Sequence, residues 1–237
     1  MKILEFDTRH GIYSFEMSDF ETIIHAHPAI EIIMATAGVF TLSTPEREYK
    51  NVRFAVIDSN VKHAVQTQNG QLALLMCEHK NDWVKEFLTR EEVVLKEGVY
   101  IESGTANRQA LFQTLFKQLR LESQPNLYDE RVTTCIELIE QGELSYNTMM
   151  RELQDQVFLS ESRLSHLFKD NVGISLKQYL VWNRLKRTIK IVLDSDENLF
   201  SAGLTCGFHD QAHLSRAFKN MLGVNPSKAY NSRTLQI

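Results

Sequence analysis

The chain is 237 residues long, with 43% hydrophobic residues, 24% charged residues and a formal net charge of −4. This composition is ordinary for a soluble globular protein, and the apolar runs are too short for a membrane-spanning helix. Charged residues interrupt the first apolar positions, which argues against a secretory signal. Three dispersed cysteines, Cys77, Cys135 and Cys206, form no disulfide pattern, so we expect three small core residues in a reducing cytoplasm.

Short β-branched and aromatic runs follow one another from Phe15 to about Glu78, separated by polar clusters. Many short strands at this spacing predict a small barrel or sandwich. One of these runs, FETIIHAH at Phe20–His27, predicts a strand that carries two histidines. Beyond the runs, residues 82–88 predict a short helix and residues 93–103 predict a strand that closes the sheet.

Four side chains in this part form a candidate ligand site, which we call the His–Glu cluster. Its members are His25, His27, Glu31 and His63. The first two histidines lie two positions apart, so on a strand they point to the same face, and Glu31 shares their parity. The spacing is similar to that of the cupin barrel, in which two histidines and a glutamate meet a third histidine around a divalent metal ion. The resemblance implies a divalent metal site in the barrel mouth. The alternative is a metal-free effector pocket lined by the same four residues.

An apolar strip at helical spacing begins after about Ala106. Its members are Leu111, Leu115, Phe116, Leu119 and Leu121. The strip predicts an amphipathic helix at the junction between the two parts of the chain. Pro125 disfavours helix, so Gln124–Asn126 is the predicted linker to the rest of the chain.

Two stretches of the remaining chain repeat each other at an offset of fifty positions. They are SESRLSHLFKDNVGIS at Ser160–Ser175 and DQAHLSRAFKNMLGVN at Asp210–Asn225. Each predicts a helix with one apolar face, and Ser160 is the predicted N-cap of the first. The apolar faces are predicted to consist of Leu164, Leu167 and Phe168 in the first stretch and of Leu214, Ala217 and Phe218 in the second.

A supporting helix precedes each repeated stretch. The supporting apolar residues are Leu153 and Val157 before the first, and Leu199, Ala202 and Leu204 before the second, followed by a turn at Cys206–Phe208. This arrangement predicts two helix-turn-helix units, in which the second helix of each unit enters the major groove of DNA. Between the units, Leu176–Leu193 lacks Gly and Pro and predicts a helix of about 27 Å. That length is near the roughly 34 Å that separates successive major grooves on one face of DNA.

The local charge of both units suits DNA, although the whole chain is acidic. Residues 160–193 contain seven Lys or Arg against two Asp or Glu, and residues 205–237 contain four against one. A local basic stripe is what contact with phosphates requires.

The chain from about Tyr128 to its end resembles the DNA-binding domain of the AraC/XylS family of bacterial transcription regulators. The stretches that carry the resemblance are LSESRLSHLFKDNVGISLKQYL, RLKRTIKIVL and CGFHDQAHLSRAFKNMLGVNPS. The resemblance implies that the bases are contacted by Ser162, Ser165, His166, Gln211, Ala212, Ser215 and Arg216. The basic residues suited to phosphates are Lys169, Lys186, Arg187 and Lys219. Among the base readers, Arg216 can donate two hydrogen bonds to guanine and Gln211 can pair with adenine.

The same resemblance bears on three further features. In this family a helix after the barrel often makes an antiparallel dimer contact, so the apolar strip covers either a second copy or the barrel itself. Arg131–Gly142 is expected to be the first helix of the DNA-binding domain, ended by its glycine. Ala202-Gly203 stands where the family usually has Ile-Ala. A glycine inside a helix costs about 1 kcal/mol relative to alanine, so a less rigid second unit is expected.

Together these features predict an α+β chain with two domains, a cupin-like small β-barrel and an all-α domain with two helix-turn-helix units. The predicted boundaries are 1–104 for the sensor, 105–127 for a helical linker and 128–237 for the DNA-binding domain. The predicted function is a cytoplasmic, sequence-specific transcription regulator and not an enzyme. Its predicted partners are double-stranded DNA, a small-molecule or ion effector, RNA polymerase if it is an activator, and a second copy of the chain. The alternative is a cupin-type metalloenzyme with an attached DNA-binding domain.

Overall fold

A computed structural model of the chain describes residues 2–78, 82–104, 108–121, 128–141 and 146–226. The chain divides into two compact units. One contains the residues up to Gln124 together with the chain from Phe218 onward, and the other contains Pro125–Ala217. The predicted domain boundaries adjoin residues outside the described ranges and stay predictions. The predicted linker at Gln124–Asn126 and the predicted helix end at Gly142 also lie outside the described residues.

Eight described strands form one antiparallel sheet in the first unit. They are β1 (Lys2–Asp7), β2 (Ile12–Ser18), β3 (Ala29–Ala37), β4 (Phe40–Ser43), β5 (Glu48–Ile57), β6 (Ala64–Gln66), β7 (Gln71–Glu78) and β8 (Val99–Ser103). Hydrogen-bonded neighbours follow the order β1-β2-β7-β3-β5-β4-β6, and β8 pairs with β5 outside this path. The sheet curls into a half-barrel, which confirms the predicted cupin-like β architecture.

Two helices accompany the sheet, α1 (Asp82–Arg90) and α2 (Gln109–Leu121). Successive side chains of the central strands alternate between two buried layers because a strand points its side chains to opposite faces. Ile32 lies in the layer that also contains buried residues of α1 and α2. Its neighbour Ile33 lies in the other layer, on the opposite face of the sheet. Apolar packing therefore covers both faces of the central strands.

The apolar strip of α2 packs onto the sheet. Leu111, Leu115 and Leu119 are buried in the same layer as Ile32. Of the two alternatives for the strip, packing on the barrel is the one observed, and the strip is buried within its own unit.

The strand predicted at Phe20–His27 is wrong. This segment makes only isolated bridges, of Glu21 with Gln66 and of His25 with His63. Its ends cannot continue a ladder, because Asp19 before it adopts a φ of 49° and Pro28 after it has no amide to donate. Conversely, β1 is a strand that was not predicted, because the predicted strands began only at about Phe15.

Six further helices follow. They are α3 (Glu130–Gln141), α4 (Tyr146–Val157), α5 (Glu161–Val172), α6 (Leu176–Asp194), α7 (Leu199–Thr205) and α8 (Gln211–Leu222). The first helix-turn-helix unit is α4–α5, the second is α7–α8, and α6 connects them, as predicted. Leu153 and Val157 of α4 share one buried core with Leu164 and Phe168 of α5.

The second helix-turn-helix unit, α7–α8, departs from the prediction at one supporting residue. Ala202 of α7 is fully buried, and Cys206 and Phe208 of the turn are 5% and 3% exposed. Leu204 is 45% exposed, so its predicted supporting role is wrong. Gly203 is buried in its place, because its backbone and not Leu204 faces α8.

All three cysteines are buried and none forms a disulfide bond, which confirms their assignment as core residues. Among the described residues, no helix has both the length and the hydropathy needed to cross a membrane.

Candidate functional site

The predicted base-reading residues lie on the outward faces of α5 and α8. The exposed members are Ser162, His166, Gln211, Ala212 and Arg216, and the half-buried members are Ser165 and Ser215. On the opposite faces, Leu164 and Leu214, fifty positions apart, are 0% and 2% exposed. The face assignment is therefore confirmed in both units, and the base contacts themselves stay predictions.

Both reading helices end in the same way. Gly173 after α5 has a φ of 80°, and Gly223 after α8 has a φ of 68°. The Gly173 amide donates to the carbonyl of Lys169, which satisfies one of the free carbonyls of the last turn. Left-handed backbone of this kind favours glycine, which explains why the glycine recurs in the repeat.

The N-terminal ends of α5 and α8 differ. Ser160 is the N-cap of α5, as predicted, but its side chain makes no cap hydrogen bond. At the matching position before α8, the carboxylate of Asp210 accepts from the His213 amide at 2.6 Å. An acidic group at a helix N-terminus stabilises the helix dipole. The cap at Asp210 was not predicted, although the fifty-residue offset of the repeat places Asp210 at the position equivalent to Ser160.

The predicted phosphate-contacting residues do not all reach the surface. Lys169 and Lys219 are exposed, and Arg187 is half-buried. Lys186 is 2% exposed, and its Nζ lies 6.0 Å from the ring centroid of Trp182. A side chain covered in this way has no path to a phosphate, so the predicted role of Lys186 is wrong.

The His–Glu cluster does come together, although only part of it lies on a strand. His25 and His63 face each other in an isolated bridge, with each amide donating to the other carbonyl at 2.9 Å. One ligand nitrogen from each of His25, His27 and His63 lies within 4.8 Å of the other two. Glu31 on β3 directs Oε2 to within 2.8 Å of His63 Nε2 and 3.4 Å of His27 Nε2. All four side chains are buried.

The backbone around the cluster selects one tautomer of each histidine. Nδ1 of His25 lies 2.9 Å from the Ile23 carbonyl, and Nδ1 of His63 lies 2.9 Å from the Val61 carbonyl. Nδ1 of His27 lies 3.0 Å from the carbonyl of Ala29 in the same way. A carbonyl only accepts, so each Nδ1 must carry the proton. In a neutral ring this leaves the Nε2 lone pair free to bind a metal ion. These carbonyl contacts were not predicted, because they depend on loop backbone.

Burial and neighbouring charge act strongly on this cluster. Burial, reinforced by the charges of His63 and His27, lowers the pKa of His25 to about 3, so this ring is neutral at pH 7. Burial raises the pKa of Glu31, but contacts with His27 and His63 outweigh it, and the net pKa is lowered. Burial lowers the pKa of His63, but the contact with Glu31 outweighs it, and the net pKa is raised. The carboxylate is therefore charged, and it lies beside the imidazoles of His27 and His63.

The residues fit a divalent transition metal ion. Three imidazoles and a carboxylate are a common ligand set for zinc and its neighbours. The buried Nε2 of His63 has no hydrogen-bond partner in the described part of the chain, since its short contact with Glu31 lacks hydrogen-bond geometry. A buried polar nitrogen without a partner is costly, and a metal ion would satisfy it.

The helical part of the chain has recognisable relatives. A family model described as a helix-turn-helix domain matches residues 153–232. The chain is 31% identical over 134 residues to the arabinose operon regulatory protein of Escherichia coli K12, covering 56% of this chain and 45% of that protein. It is 28% identical over 160 residues to the transcriptional activator RhaS of Escherichia fergusonii, covering 66% of this chain and 56% of that protein. The helix-turn-helix part of the chain is therefore similar to these bacterial regulators.

The likeness in fold extends to the N-terminal part of the chain. A solved structure of ToxT from Vibrio cholerae covers 92% of this chain and 96% of that chain, with a TM-score of 0.56 and 11% identity. A ToxT structure bound to an unsaturated fatty acid has a TM-score of 0.53, 10% identity and coverage of 92% and 93%. At these identities the likeness concerns the fold alone. The chain spans about half the length of the curated relatives it matches.

Proposed function

We propose that the chain is a sequence-specific DNA-binding transcription regulator of the AraC/XylS type. The observation that carries the proposal is the repeated unit, because two reading helices expose polar and basic faces at equivalent positions. A long connecting helix separates them, which suits two successive major-groove segments of one DNA molecule. One polypeptide then reads two groove segments, as many regulators do by dimerisation.

The exposed residues of the two units divide into two roles in this proposal. Arg216 and Gln211 near the start of α8 have the side chains best suited to guanine and adenine edges. The other proposed base readers are Ser162, Ser165, His166, Ala212 and Ser215. Lys169, Lys219 and the half-buried Arg187 supply phosphate contacts, which position the protein without reading sequence.

The N-terminal unit is proposed to sense an effector at the His–Glu cluster. The support is chemical, because three buried imidazoles and a buried carboxylate converge. ToxT, which shares the fold, has been solved with a fatty acid bound. In this chain, a site surrounded by four buried polar groups favours a small polar ligand or an ion over an aliphatic one.

The remaining partners follow from the proposed role. RhaS is a transcriptional activator, and an activator of this kind contacts RNA polymerase. We therefore include RNA polymerase, a homodimer and a cytoplasmic location in the proposal. A homodimer would use a surface other than the apolar strip of α2, because that strip is buried against the sheet.

A catalytic role is the second candidate, and the metal-compatible His–Glu cluster is the observation that favours it. In that case a purified sample would turn over a small molecule in the presence of metal and would shift no DNA. Regulation is favoured because the outward polar faces of two helix-turn-helix units have no role in catalysis.

The experiment is selection of bound DNA from a random pool, followed by affinity measurement at several salt concentrations. The proposal expects an enriched motif with two parts, and a binding constant that falls steeply with salt. A variant with Arg216 and His166 both changed to alanine should lose the motif, whereas His10→Ala, an exposed histidine of the other unit, should keep it. Binding without any enriched motif would contradict the proposed sequence specificity.

A further inference from the structure

The His–Glu cluster has the dimensions of an ion site. The three histidine nitrogens lie within 4.8 Å of one another. Donor atoms around tetrahedral zinc lie about 3.4 Å apart, since each Zn–N bond is about 2.0–2.1 Å. Loading the cluster with such an ion therefore requires the ring nitrogens to approach one another by at most about 1.4 Å. An organic effector would need far more room than this.

The segment that carries His25 is hydrogen-bonded to the C-terminal end of α8 within the same compact unit. The Ile23 amide donates to the Gly223 carbonyl at 2.9 Å, and the Ala26 amide donates to the Asn220 carbonyl at 3.2 Å. Gly223 also packs against the ring itself, because a methyl group built on this glycine would lie 2.5 Å from His25 Nδ1. The backbone at the end of α8 thus touches a ligand of the cluster.

These two observations share one side chain. His25 contributes one ring nitrogen to the cluster, and because its Nδ1 contacts the Ile23 carbonyl at 2.9 Å, Nε2 is left as the ligand atom. The amide of that same Ile23 bonds to Gly223. Movement of the ring toward an ion therefore pulls on the residue that holds the end of α8.

We propose that a divalent transition metal ion held by the His–Glu cluster regulates DNA binding, and that the contact of the His25 segment with Asn220 and Gly223 is the relay. The proposal deepens the proposed function and rests on it. The ion changes the relative stability of two arrangements of the His25 segment, and the end of α8 responds because it is bonded to that segment. A ligand can shift such an equilibrium only by its different affinity for the two arrangements. Here the ion binds more tightly to the arrangement in which the ring nitrogens lie closer together.

The first experiment tests the ion site in the full chain, purified without a metal-affinity tag. Cobalt(II), which reports coordination through visible absorption, is titrated and then displaced by zinc. We expect one ion per chain for the native protein and for His10→Ala, the matched surface control. His63→Ala should lose the spectrum, and Glu31→Gln, which keeps the shape of the side chain, should weaken affinity at least about tenfold. Circular dichroism checks that each variant is folded.

The second experiment tests the relay. DNA affinity of the full chain is measured with zinc and with a chelator, and zinc should change it at least about fivefold, the lower end of typical coupling. Gly223→Ala pushes a methyl group against His25 and should abolish most of this change while cobalt still binds. Gly173→Ala carries the same left-handed strain at the equivalent position after α5, away from His25, and should keep the change.

The outcomes separate this proposal from the proposed function. Specific DNA binding with no cobalt spectrum, or with equal affinity in zinc and chelator, overturns the metal proposal alone. A full zinc response in Gly223→Ala overturns the relay. If no DNA is bound under any condition, the proposed function falls. Hydrogen exchange at the amides of Ile23 and Ala26 then decides the relay, since zinc must change their protection for it to stand.

Discussion

Gly203 of α7 and Leu214 of α8 pack so closely that a methyl group built on the glycine would lie 2.8 Å from Leu214 Cδ2. Both residues are buried. The glycine therefore allows the two helices of the second unit to approach, and the space it leaves is filled by the leucine. The expectation of a less rigid second helix-turn-helix unit rests on helix propensity alone and leaves this contact out.

Gly203→Ala should destabilise the protein by about 1 kcal/mol. Overpacking of a filled core costs about 1–3 kcal/mol, and the better helix propensity of alanine returns about 1 kcal/mol. In a Leu214→Val background, which removes a methylene at the contact, the cost should disappear. Urea unfolding of the two single variants and the double variant measures the coupling. A stabilised Gly203→Ala single variant would mean that Leu214 turns aside.

Phe158→Gly should stabilise the protein by about 0.5–1 kcal/mol. Phe158 follows α4 with a φ of 53° and is 92% exposed, so it contributes little burial to offset its left-handed backbone. Left-handed backbone costs a residue with a Cβ about 1–2 kcal/mol. Glycine removes this cost, but it also raises the entropy of the unfolded chain, which cancels part of the gain in stability. Phe158→Ala keeps the backbone cost and is the control, with an unfolding midpoint near that of the native protein. Equal midpoints for the glycine and alanine variants would contradict the strain argument.

Phe168→Ala and Phe218→Ala should each cost about 3–5 kcal/mol in stability and leave base preference unchanged in any folded fraction. The two phenylalanines are 0% and 4% exposed, and the ring of Phe168 meets that of Tyr179 edge-on at 5.3 Å. Denaturant unfolding measures the loss, and His166→Ala on the exposed face of α5 is the control for stability. A well-folded Phe218→Ala protein with altered base preference would overturn the assignment of faces on α8.

Arg216→Ala should relax the preference at one base position by about 1–3 kcal/mol, because a bidentate contact to guanine is lost. Lys169→Ala should instead weaken binding to all sequences alike and reduce the salt slope by about 1. Affinities for a panel of single-base variants of the selected motif, each at several salt concentrations, measure both effects. If Arg216→Ala leaves the preference at every position unchanged, α8 does not read DNA as proposed.

The inward and outward faces of α5 and α8 were predictable because helical periodicity is a local property. Leu164 and Phe168 lie three to four positions apart, and no distant residue alters which way they point. Lys186 shows where local reasoning ends. A lysine in an amphipathic helix is expected at the surface, but Lys186 is 2% exposed on a helix that packs against α3, α5 and α7, and such packing is not a local property.

The His–Glu cluster was predicted correctly as a set, but for a reason that is only partly right. The parity argument assumed a strand at Phe20–His27, whereas the bridge between His25 and His63 brings the two segments together. The carbonyls that select the tautomers, and the contact of Gly223 with His25, depend on loop backbone and on residues nearly 200 positions apart. Neither could be predicted from spacing.

The 19-residue α6 is a continuous helix whose first turn is closed by reciprocal hydrogen bonds of Ser175 and Gln178. At 1.5 Å per residue it is about 28 Å long. Under the proposed function, a connector this stiff fixes the distance between the two DNA half-sites that the protein can bind. Binding sites are then distinguished by whether both half-sites lie on the same face of the duplex. Inserting about five base pairs between the half-sites turns the second to the far side of the duplex, and inserting about ten returns it to the same side. Under the proposed function, the DNA between the two half-sites can therefore vary in sequence far more freely than in length.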